Sequence, residues 1–267
     1  VEGVILVDAT NASNCLNRQT ALINIKNLCP ALSKVLINTY RQHIPRFIAG
    51  ESILSKEGTT EGDPLAMAMY AVAITPLIYR LAEEKLKQVW FAEDSSAAGK
   101  LVGLKNWSNN MTKIGPEYGY LPNASKTWLF VKEERLEEAK QLFQDTGVKI
   151  SHDGKSHLGS AIGSRTFVES FVEEKVSKWK KELEQHSDIT ITQPHAAYTT
   201  FTHGINSKWI YLARATPYID HLLAPLEEVI RCKFLPAITG QSVFDDNLRN
   251  LMGLPARLGG IGVIDPS

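Results

Sequence analysis

Two short apolar runs in the first half of the chain have the pattern of buried strands. The run Gly3 to Val7 is continuous and stops at Asp8, which is typical of a strand covered on both faces. The second run, Gln88 to Ala92, contains β-branched and aromatic residues and ends on two adjacent acids, Glu93 and Asp94. Both predicted strands therefore end on carboxylates.

In the segment between these two strands, the spacing of apolar residues is mainly that of helices. Apolar residues recur at helical spacing on both sides of Pro30, and Pro64 suits the first turn of a long apolar helix. Gly50, between two short runs, indicates a hairpin. The predicted elements are a broken helix at 18–40, a hairpin at 46–56, a loop at 58–63 and a helix at 64–84.

Beyond residue 100 the patterns become mainly helical. They predict helices at 100–113 and 134–144 and short strands at 128–132 and 157–162. From Thr166 onward no long strand is predicted, and an amphipathic helix begins near Val168. We place a domain boundary at Gly163, and the predicted fold class is α+β. Further helices are predicted at 195–213, 219–235 and 244–251.

Composition narrows the possible functions. The chain has 267 residues, and its 29 basic residues balance 29 acidic ones, so no strong overall field would draw it to nucleic acid or to an anionic membrane. Its longest apolar stretch is interrupted at Thr75 and Pro76 and is too short to span a bilayer. Three scattered cysteines and no secretory signal indicate an intracellular location, in the nucleus or the cytoplasm.

The three carboxylates at the strand ends have two interpretations. Acidic residues are common in turns and usually only face water. If instead the two strands are neighbours in one sheet, Asp8, Glu93 and Asp94 converge at one edge, where a cation would relieve their repulsion. Such oxygen ligands suit Mg²⁺, which is commonly held by one or two carboxylates together with substrate phosphates. Spacing alone leaves both interpretations open.

Five motifs follow one another along the chain. They are Val7–Arg18, Glu61–Met67, Phe91–Asp94, Gly119–Thr127 and His157–Gly163. In this order they resemble the palm motifs of reverse transcriptases, specifically those of retrotransposon-type mobile elements. The resemblance covers nearly the whole chain, because later segments resemble the region after the palm in such elements; these segments are 193–204, 223–236 and 254–262.

The resemblance implies a right-hand polymerase fold. Residues 1–163 would form the palm, an antiparallel sheet backed by helices, and residues 164–267 would form a helical thumb and C-terminal region. Asp8, Glu93 and Asp94 would be the catalytic, metal-binding carboxylates of nucleotidyl transfer, with Mg²⁺ or alternatively Mn²⁺ as the metal.

Further residues match motif positions that contact substrates in this family. Lys126 would be catalytic, lying near the nucleotide triphosphate, where it would offset charge or donate a proton. Leu158 and Gly159 fall in the hairpin that grips the primer end. The implied partners are a primed RNA or DNA template and deoxynucleoside triphosphates, without a membrane. Nucleotide and template contacts would come from Ser13, Glu61, Gly62, Asp63 and Pro64.

Three motif positions depart from the family pattern. Glu93 replaces the first of two aspartates, and its extra methylene would displace that carboxylate by about an ångström, which can cost on the order of a hundredfold in rate. Ser13 replaces a Phe or Tyr whose bulk excludes a ribose 2′-hydroxyl. Glu61 replaces a Gln and puts an acid near a triphosphate, which is unfavourable unless the acid is paired.

These features lead to two functional hypotheses. The first is an impaired RNA-directed DNA polymerase that uses a two-metal mechanism. The second is a catalytically inactive remnant of a mobile element with a nucleic-acid-binding or purely structural role. Because Val1 lies inside the first palm strand and no fingers region precedes it, we also expect the sequence to be a fragment.

Overall fold

A five-stranded sheet forms the centre of Val1–His152, the first of two units into which the chain divides. The computed structural model describes residues 1–60 and 62–267, so Glu61, one of the predicted contact residues, lies outside the described residues. The second unit is Asp153–Ser267. A short hairpin at 154–163 belongs to the second unit, whereas the sequence pattern places it before the boundary at Gly163.

The strands of the first unit form one sheet and one separate hairpin. They are β1 (Gly3–Val7), β2 (Ile44–Ile48), β3 (Glu51–Ser55), β4 (Lys87–Phe91), β5 (Asp94–Gly99), β6 (Trp128–Val131) and β7 (Lys149–Ser151). Strands β2 and β3 form the hairpin, and the sheet has the order β4-β5-β1-β6-β7. The predicted combination of a sheet with many helices is confirmed. The predicted antiparallel sheet is in fact mixed, because β7 runs parallel to β6.

Strand β5 is an element that the sequence pattern missed. Its residues, Asp-Ser-Ser-Ala-Ala-Gly, are small and have low strand propensity, so the pattern indicated only a turn at this point. In the structure β5 lies between β4 and β1, and Ser95 is fully buried. A small side chain fits there because Met111 and Tyr120 pack directly against it.

Helices pack against the sheet and bury its central strands. They are α1 (Ala12–Cys15), α2 (Arg18–Leu28), α3 (Pro30–Tyr40), α4 (Ala66–Arg80), α5 (Leu101–Ile114) and α6 (Leu136–Phe143). The predicted break before Pro30 is confirmed, since α3 begins there. Ile5, Leu77, Trp107 and Leu129 are fully buried in one core. Because each such side chain contributes about 1.5–3 kcal/mol on burial, this core holds the ends of β1 and β5 in place.

The second unit is helical apart from its hairpin, which consists of β8 (Gly154–His157) and β9 (Ser160–Gly163). The predicted amphipathic helix is confirmed as α7, whose buried residues Val172, Val176 and Leu183 belong to the core of this unit. Among the described helices, none is both long enough and apolar enough to cross a membrane. The helices are α7 (Arg165–Thr190), α8 (Pro194–Thr200), α9 (Asn206–Ala215), α10 (Asp220–Val229), α11 (Leu235–Thr239) and α12 (Asp246–Gly253).

Two π-helical segments, Phe201–Ile205 and Ile230–Phe234, interrupt the helices of the second unit. Such wide turns are rare and often mark functional sites. Here each contributes a fully buried phenylalanine to the core, and the rings of Phe201 and Phe234 stack with their centroids 4.3 Å apart. This contact gives both segments a role in packing.

Candidate active site

The ends of β1 and β5 bring two carboxylates opposite each other. In this antiparallel pair Val7 lies opposite Ser95, so the next position along each strand places Asp8 opposite Asp94. Opposing residues on adjacent strands generally have Cβ atoms about 4.5–5.5 Å apart. Glu93 directly precedes Asp94, in the turn that joins β4 to β5. The three acids therefore gather at one end of the sheet.

A polar pocket of about 300 Å³ opens at this end of the sheet. Its walls include five of the predicted site residues, and the remaining lining comes from the segment that follows β1. Residues from three of the five sequence motifs thus meet around one space. The predicted site residues in the wall are Asp8, Ser13, Glu93, Asp94 and Lys126.

Lys126 is held beside Asp8 by backbone contacts between two loops. The Asn123 N–H donates to the carbonyl oxygen of Asp8 at 2.9 Å, and the Asn123 side chain accepts from Ser125 N at the start of the short 3₁₀ turn that ends at Lys126. As a result, Lys126 Nζ lies 3.6 Å from Asp8 Oδ1. Both side chains are well exposed, at 61% and 38%, so this ion pair remains hydrated.

Tyr120 supports the acidic turn from inside the protein. Its hydroxyl donates to the carbonyl oxygen of Glu93 at 2.8 Å and lies 2.9 Å from Ser95 Oγ. Its ring packs edge-on against Trp90 of β4, with the ring centroids 5.2 Å apart. Because Tyr120 and Ser95 are both fully buried, this contact fixes the backbone on either side of Asp94.

The electrostatic surroundings of Tyr120 keep its hydroxyl a hydrogen-bond donor. Burial raises the pKa of Tyr120 most, the hydrogen bond with Ser95 opposes this rise, and the negative charges of Asp94, Asp8 and Glu93 add to it. The phenol therefore stays protonated at neutral pH. The sequence analysis did not single out Tyr120, although it lies in the fourth motif. A tyrosine in a predicted site motif could have indicated this role, because a buried tyrosine hydroxyl usually has a hydrogen-bond partner.

The turn between β4 and β5 is tight and conformationally strained. Phe91 pairs with Asp94, which leaves only Ala92 and Glu93 to reverse the chain. Ala92 has a φ of 51°, and a residue with a side chain seldom adopts a positive φ. Such values are needed in two-residue hairpins. The turn thus places the half-buried Glu93 directly before Asp94, which belongs to the first ladder pair of β5.

The glycine loop after β3 is bound to the segment that carries Ser13. Gly58 N donates to Leu16 O at 2.9 Å, and Thr59 N donates to Ser13 O at 2.8 Å. A Cβ on Gly58, which has a φ of 74°, would come within 2.5 Å of Ser13 O. Only glycine allows this close approach, so Gly58 sets the distance between the loop and one wall of the pocket.

Three predicted loop residues that the structure describes, Gly62, Asp63 and Pro64, do not line the pocket. Asp63 accepts a hydrogen bond from the Tyr40 hydroxyl, and its second oxygen accepts from Leu65 N at 2.8 Å just before α4. Gly62 and Pro64 flank it and are likewise outside the pocket wall. Their predicted contacts with nucleotide and template remain predictions.

Leu158 and Gly159 form the turn of the hairpin in the second unit. Both have positive φ, 48° and 79°, as in the type I′ turns that join adjacent strands. The Tyr211 hydroxyl donates to the carbonyl oxygen of Leu158, and a Cβ on Gly159 would lie 3.1 Å from the Tyr211 ring. Within its own unit, the turn is therefore held in a defined conformation, while its predicted primer contact remains a prediction.

Two solved telomerase structures are similar to this chain. Apo telomerase from Candida tropicalis, truncated from its C-terminal domain, is 13% identical, with a TM-score of 0.41 over 62% of this chain and 34% of that one. Telomerase from Candida albicans, in complex with a TWJ fragment of telomeric RNA, is 7% identical, with a TM-score of 0.39 over 89% of this chain and 45% of that one.

The chain thus spans less than half the length of either telomerase chain. No family model matches it, and no curated protein matches it. TM-scores and identities this low do not establish a shared fold.

The donor set of the pocket fits a hard divalent cation. Within residues 1–60 and 62–267, no group of three or more histidine, cysteine or acidic side chains is arranged to hold a metal by itself. Mg²⁺ does not require such a cage, because it keeps several waters and shares its coordination between one or two carboxylates and substrate phosphates. Asp8 and Asp94 provide two carboxylates on opposing strands, and Glu93 adjoins them.

Proposed function

We propose that the chain is the palm and thumb of an RNA-directed DNA polymerase of a retrotransposon-type mobile element, with impaired activity. The observation that supports this proposal is that Asp8 and Asp94, which adjoin the last pair between β1 and β5, line one pocket together with Lys126. Acids that repel one another are gathered here with few nonpolar neighbours, which favours a ligand that brings positive charge.

Asp8, Glu93 and Asp94 would hold Mg²⁺, or Mn²⁺ in its place. When bound in such a site, these ions stabilise the charge on the attacking and leaving oxygens of a phosphoryl transfer. The protein contributes rigidity, because the register of β1 with β5 and the Tyr120 hydrogen bond fix where the acids are. Groups that are already in position need no reorganisation during the reaction.

Lys126 would bind the triphosphate of the incoming deoxynucleotide. Its ammonium group is exposed, and its ion pair among the described residues is a long contact with Asp8, so it can turn to a phosphate oxygen without breaking a buried interaction. A lysine in this place offsets negative charge on the leaving pyrophosphate and can donate a proton to it.

Ser13 and Glu93 would account for weak and poorly selective synthesis. Ser13 lines the pocket with a small side chain, which leaves room for a ribose 2′-hydroxyl. Glu93 extends its carboxylate by one methylene, and a shift of about an ångström can lower a rate on the order of a hundredfold. By resemblance to the family, Gly62, Asp63 and Pro64 would contact the nucleotide and template. The turn at Leu158 and Gly159 would contact the primer.

Primer extension on a primed RNA template, with Mg²⁺ or Mn²⁺, tests the proposal. We expect weak extension by the chain, loss of extension in Asp94→Asn and faster extension in Glu93→Asp. Ser13→Phe should increase the preference for deoxyribonucleotides. Asp188→Asn, which removes an exposed acid from α7 in the second unit, is the matched control. Extension that persists in Asp94→Asn would refute the assigned site.

The inactive remnant is the second candidate, and Glu93 in place of an aspartate favours it. Metal binding separates the two candidates, because a ligand that binds only the folded state raises its stability. For the polymerase we expect Mg²⁺ or Mn²⁺ to raise the melting temperature of the chain but not that of Asp8→Asn. No metal-dependent shift in either protein, together with no primer extension, would favour the remnant.

A further inference from the structure

A second and larger depression lies on the first unit, between α2, α3 and the end of β3. Its volume is about 480 Å³, and none of its lining residues belongs to the pocket of Asp8 and Asp94. The floor is apolar and includes Leu22 and Ile37. We call this depression the basic groove, because its rim carries the exposed cations Lys26, Arg41 and Lys56.

The rim of the basic groove carries positive charge that the described residues do not compensate with ion pairs. In the part of the chain that the structure describes, no carboxylate forms an ion pair with Lys26, Arg41 or Lys56. Glu57 also lines the groove, but its Oε2 accepts the backbone N–H of Arg18 at 2.8 Å. Since the whole chain has no net charge, this excess of positive charge is a local property.

The wall of the groove is rigid because the Arg18 guanidinium forms several hydrogen bonds within the protein. Its guanidinium donates to the carbonyl oxygens of Ser55, Glu57 and Gly58 at 2.7–3.1 Å and lies over the Tyr40 ring. Arg18 therefore ties α2 to the chain that leaves β3, and it holds Lys56 on the rim. The three exposed cations are left to interact with solvent or with a ligand.

We propose that the basic groove binds the phosphodiester backbone of a single-stranded nucleic acid. The groove follows α2 from Arg18 to Lys26, a distance of about 12 Å at a rise of about 1.5 Å per residue. Because this distance is longer than one phosphate group, the groove favours a polymer over a single phosphate. Three unpaired cations along an open depression match a chain of repeating negative charges. The apolar floor offers contact area to sugars and bases.

This inference goes beyond polymerisation and does not rest on it. Gly58 and Thr59 connect the two sites, since the Arg18 guanidinium binds Gly58 O on one side and the loop binds Ser13 on the other. A strand held in the basic groove would lie against the far side of this loop. The binding test contains neither metal nor triphosphate, so a catalytically inactive chain can still satisfy it.

Fluorescence anisotropy with a labelled single-stranded oligouridine measures the binding over a range of salt concentrations. The test variant is Lys26→Gln/Arg41→Gln/Lys56→Gln, and the control is Lys85→Gln/Lys132→Gln/Lys140→Gln, which removes the same charge from exposed lysines outside the groove. For single strands each lost phosphate contact lowers the slope of log K against log salt by about 0.7. We expect the groove variant to lose about 2 from this slope and the control to keep it.

Three results would overturn the inference. They are no binding of the oligonucleotide by the original chain at low salt, an equal loss of slope in both variants, and displacement of the oligonucleotide by a polyglutamate peptide of the same charge as effectively as by unlabelled oligouridine. The last result would show a site for an acidic protein segment. Circular dichroism of both variants confirms that the fold is retained, as expected for exposed side chains.

Discussion

An ion pair in the second unit and an ion pair in the first unit differ in length and in exposure to solvent. In the second unit Arg249 binds Glu227 through two nitrogens, both at 2.6 Å, and the side chains are only 4% and 15% exposed. In the first unit Lys126 and Asp8 lie 3.6 Å apart, and their side chains are 61% and 38% exposed. The Arg249–Glu227 pair is short, bidentate and buried, whereas the Lys126–Asp8 pair is long and hydrated.

This difference separates charge that holds the fold from charge that is available to a ligand. Arg249 also donates to the carbonyl oxygen of Val263 at 2.7 Å, so the buried pair joins α10, α12 and the C-terminal segment. Lys126 and Asp8 gain little from each other, since exposed pairs contribute about 0–1 kcal/mol. Asp8, whose ion pair with Lys126 is long and exposed, can therefore interact with a cation from solution.

The largest expected effect comes from breaking the buried pair. Glu227→Gln leaves the Arg249 guanidinium buried without a compensating charge, which typically costs about 3–5 kcal/mol. We expect the free energy of unfolding to fall by this amount, as measured by urea denaturation. Replacing both partners, in Glu227→Leu/Arg249→Met, should recover much of the loss, because paired apolar residues are often neutral in such a place.

Asp8→Asn is the matched change in the first unit. It also converts one acid of an ion pair to an amide, yet we expect the free energy of unfolding to change by less than about 1 kcal/mol. A large loss of stability in Asp8→Asn, or almost none in Glu227→Gln, would contradict the comparison between the two pairs.

An intermediate effect is expected from Tyr120→Phe. The change removes the donor to the Glu93 carbonyl and leaves the buried Ser95 hydroxyl without its shortest contact. Loss of such a buried partner costs about 1–3 kcal/mol. Since the turn then loses its support, we also expect weaker stabilisation by Mg²⁺, measured by the metal-dependent shift in melting temperature.

Tyr118→Phe serves as the control for this prediction. Among the described residues its hydroxyl accepts from Arg80, which is in the surface ion pair with Glu117, at 3.3 Å, and Tyr118 lies outside the acidic pocket. If both tyrosine variants weakened the metal response equally, Tyr120 would have no specific role in positioning Glu93 and Asp94.

Much of the fold follows from hydrophobic periodicity. The continuous apolar run of β1, the break before Pro30 and the stripe on α7 all depend on burial of large side chains, which leaves a clear pattern. Strand β5 could not be found in this way, because its Ser and Ala residues fit beneath Tyr120 and Met111 rather than forming an apolar run of their own. Its position depends on partners distant in sequence.

The residue pattern predicted that Asp8, Glu93 and Asp94 converge if the two strands that end on them are neighbours in one sheet, whereas in the structure β5 lies between β4 and β1. The strand ends at Asp8 and Asp94 were visible, but their opposition depends on the register of β1 with the unrecognised β5. The hydrogen bond from Tyr120 to Glu93 spans 27 residues. Such contacts come from the packing of whole elements, so local patterns do not contain them.

The smallest expected effect on stability comes from Lys126→Gln, which is also the most direct test of the ion pair between Lys126 and Asp8. Because the pair is exposed, its contribution of about 0–1 kcal/mol is screened by salt, so the variant and the original chain should have nearly the same urea midpoint, most closely at high ionic strength. Lys126→Gln should nevertheless reduce binding of a nucleoside triphosphate, measured by calorimetry, with Lys132→Gln as the control. A loss of stability near that expected for Glu227→Gln would instead show that Lys126 and Asp8 hold the fold together.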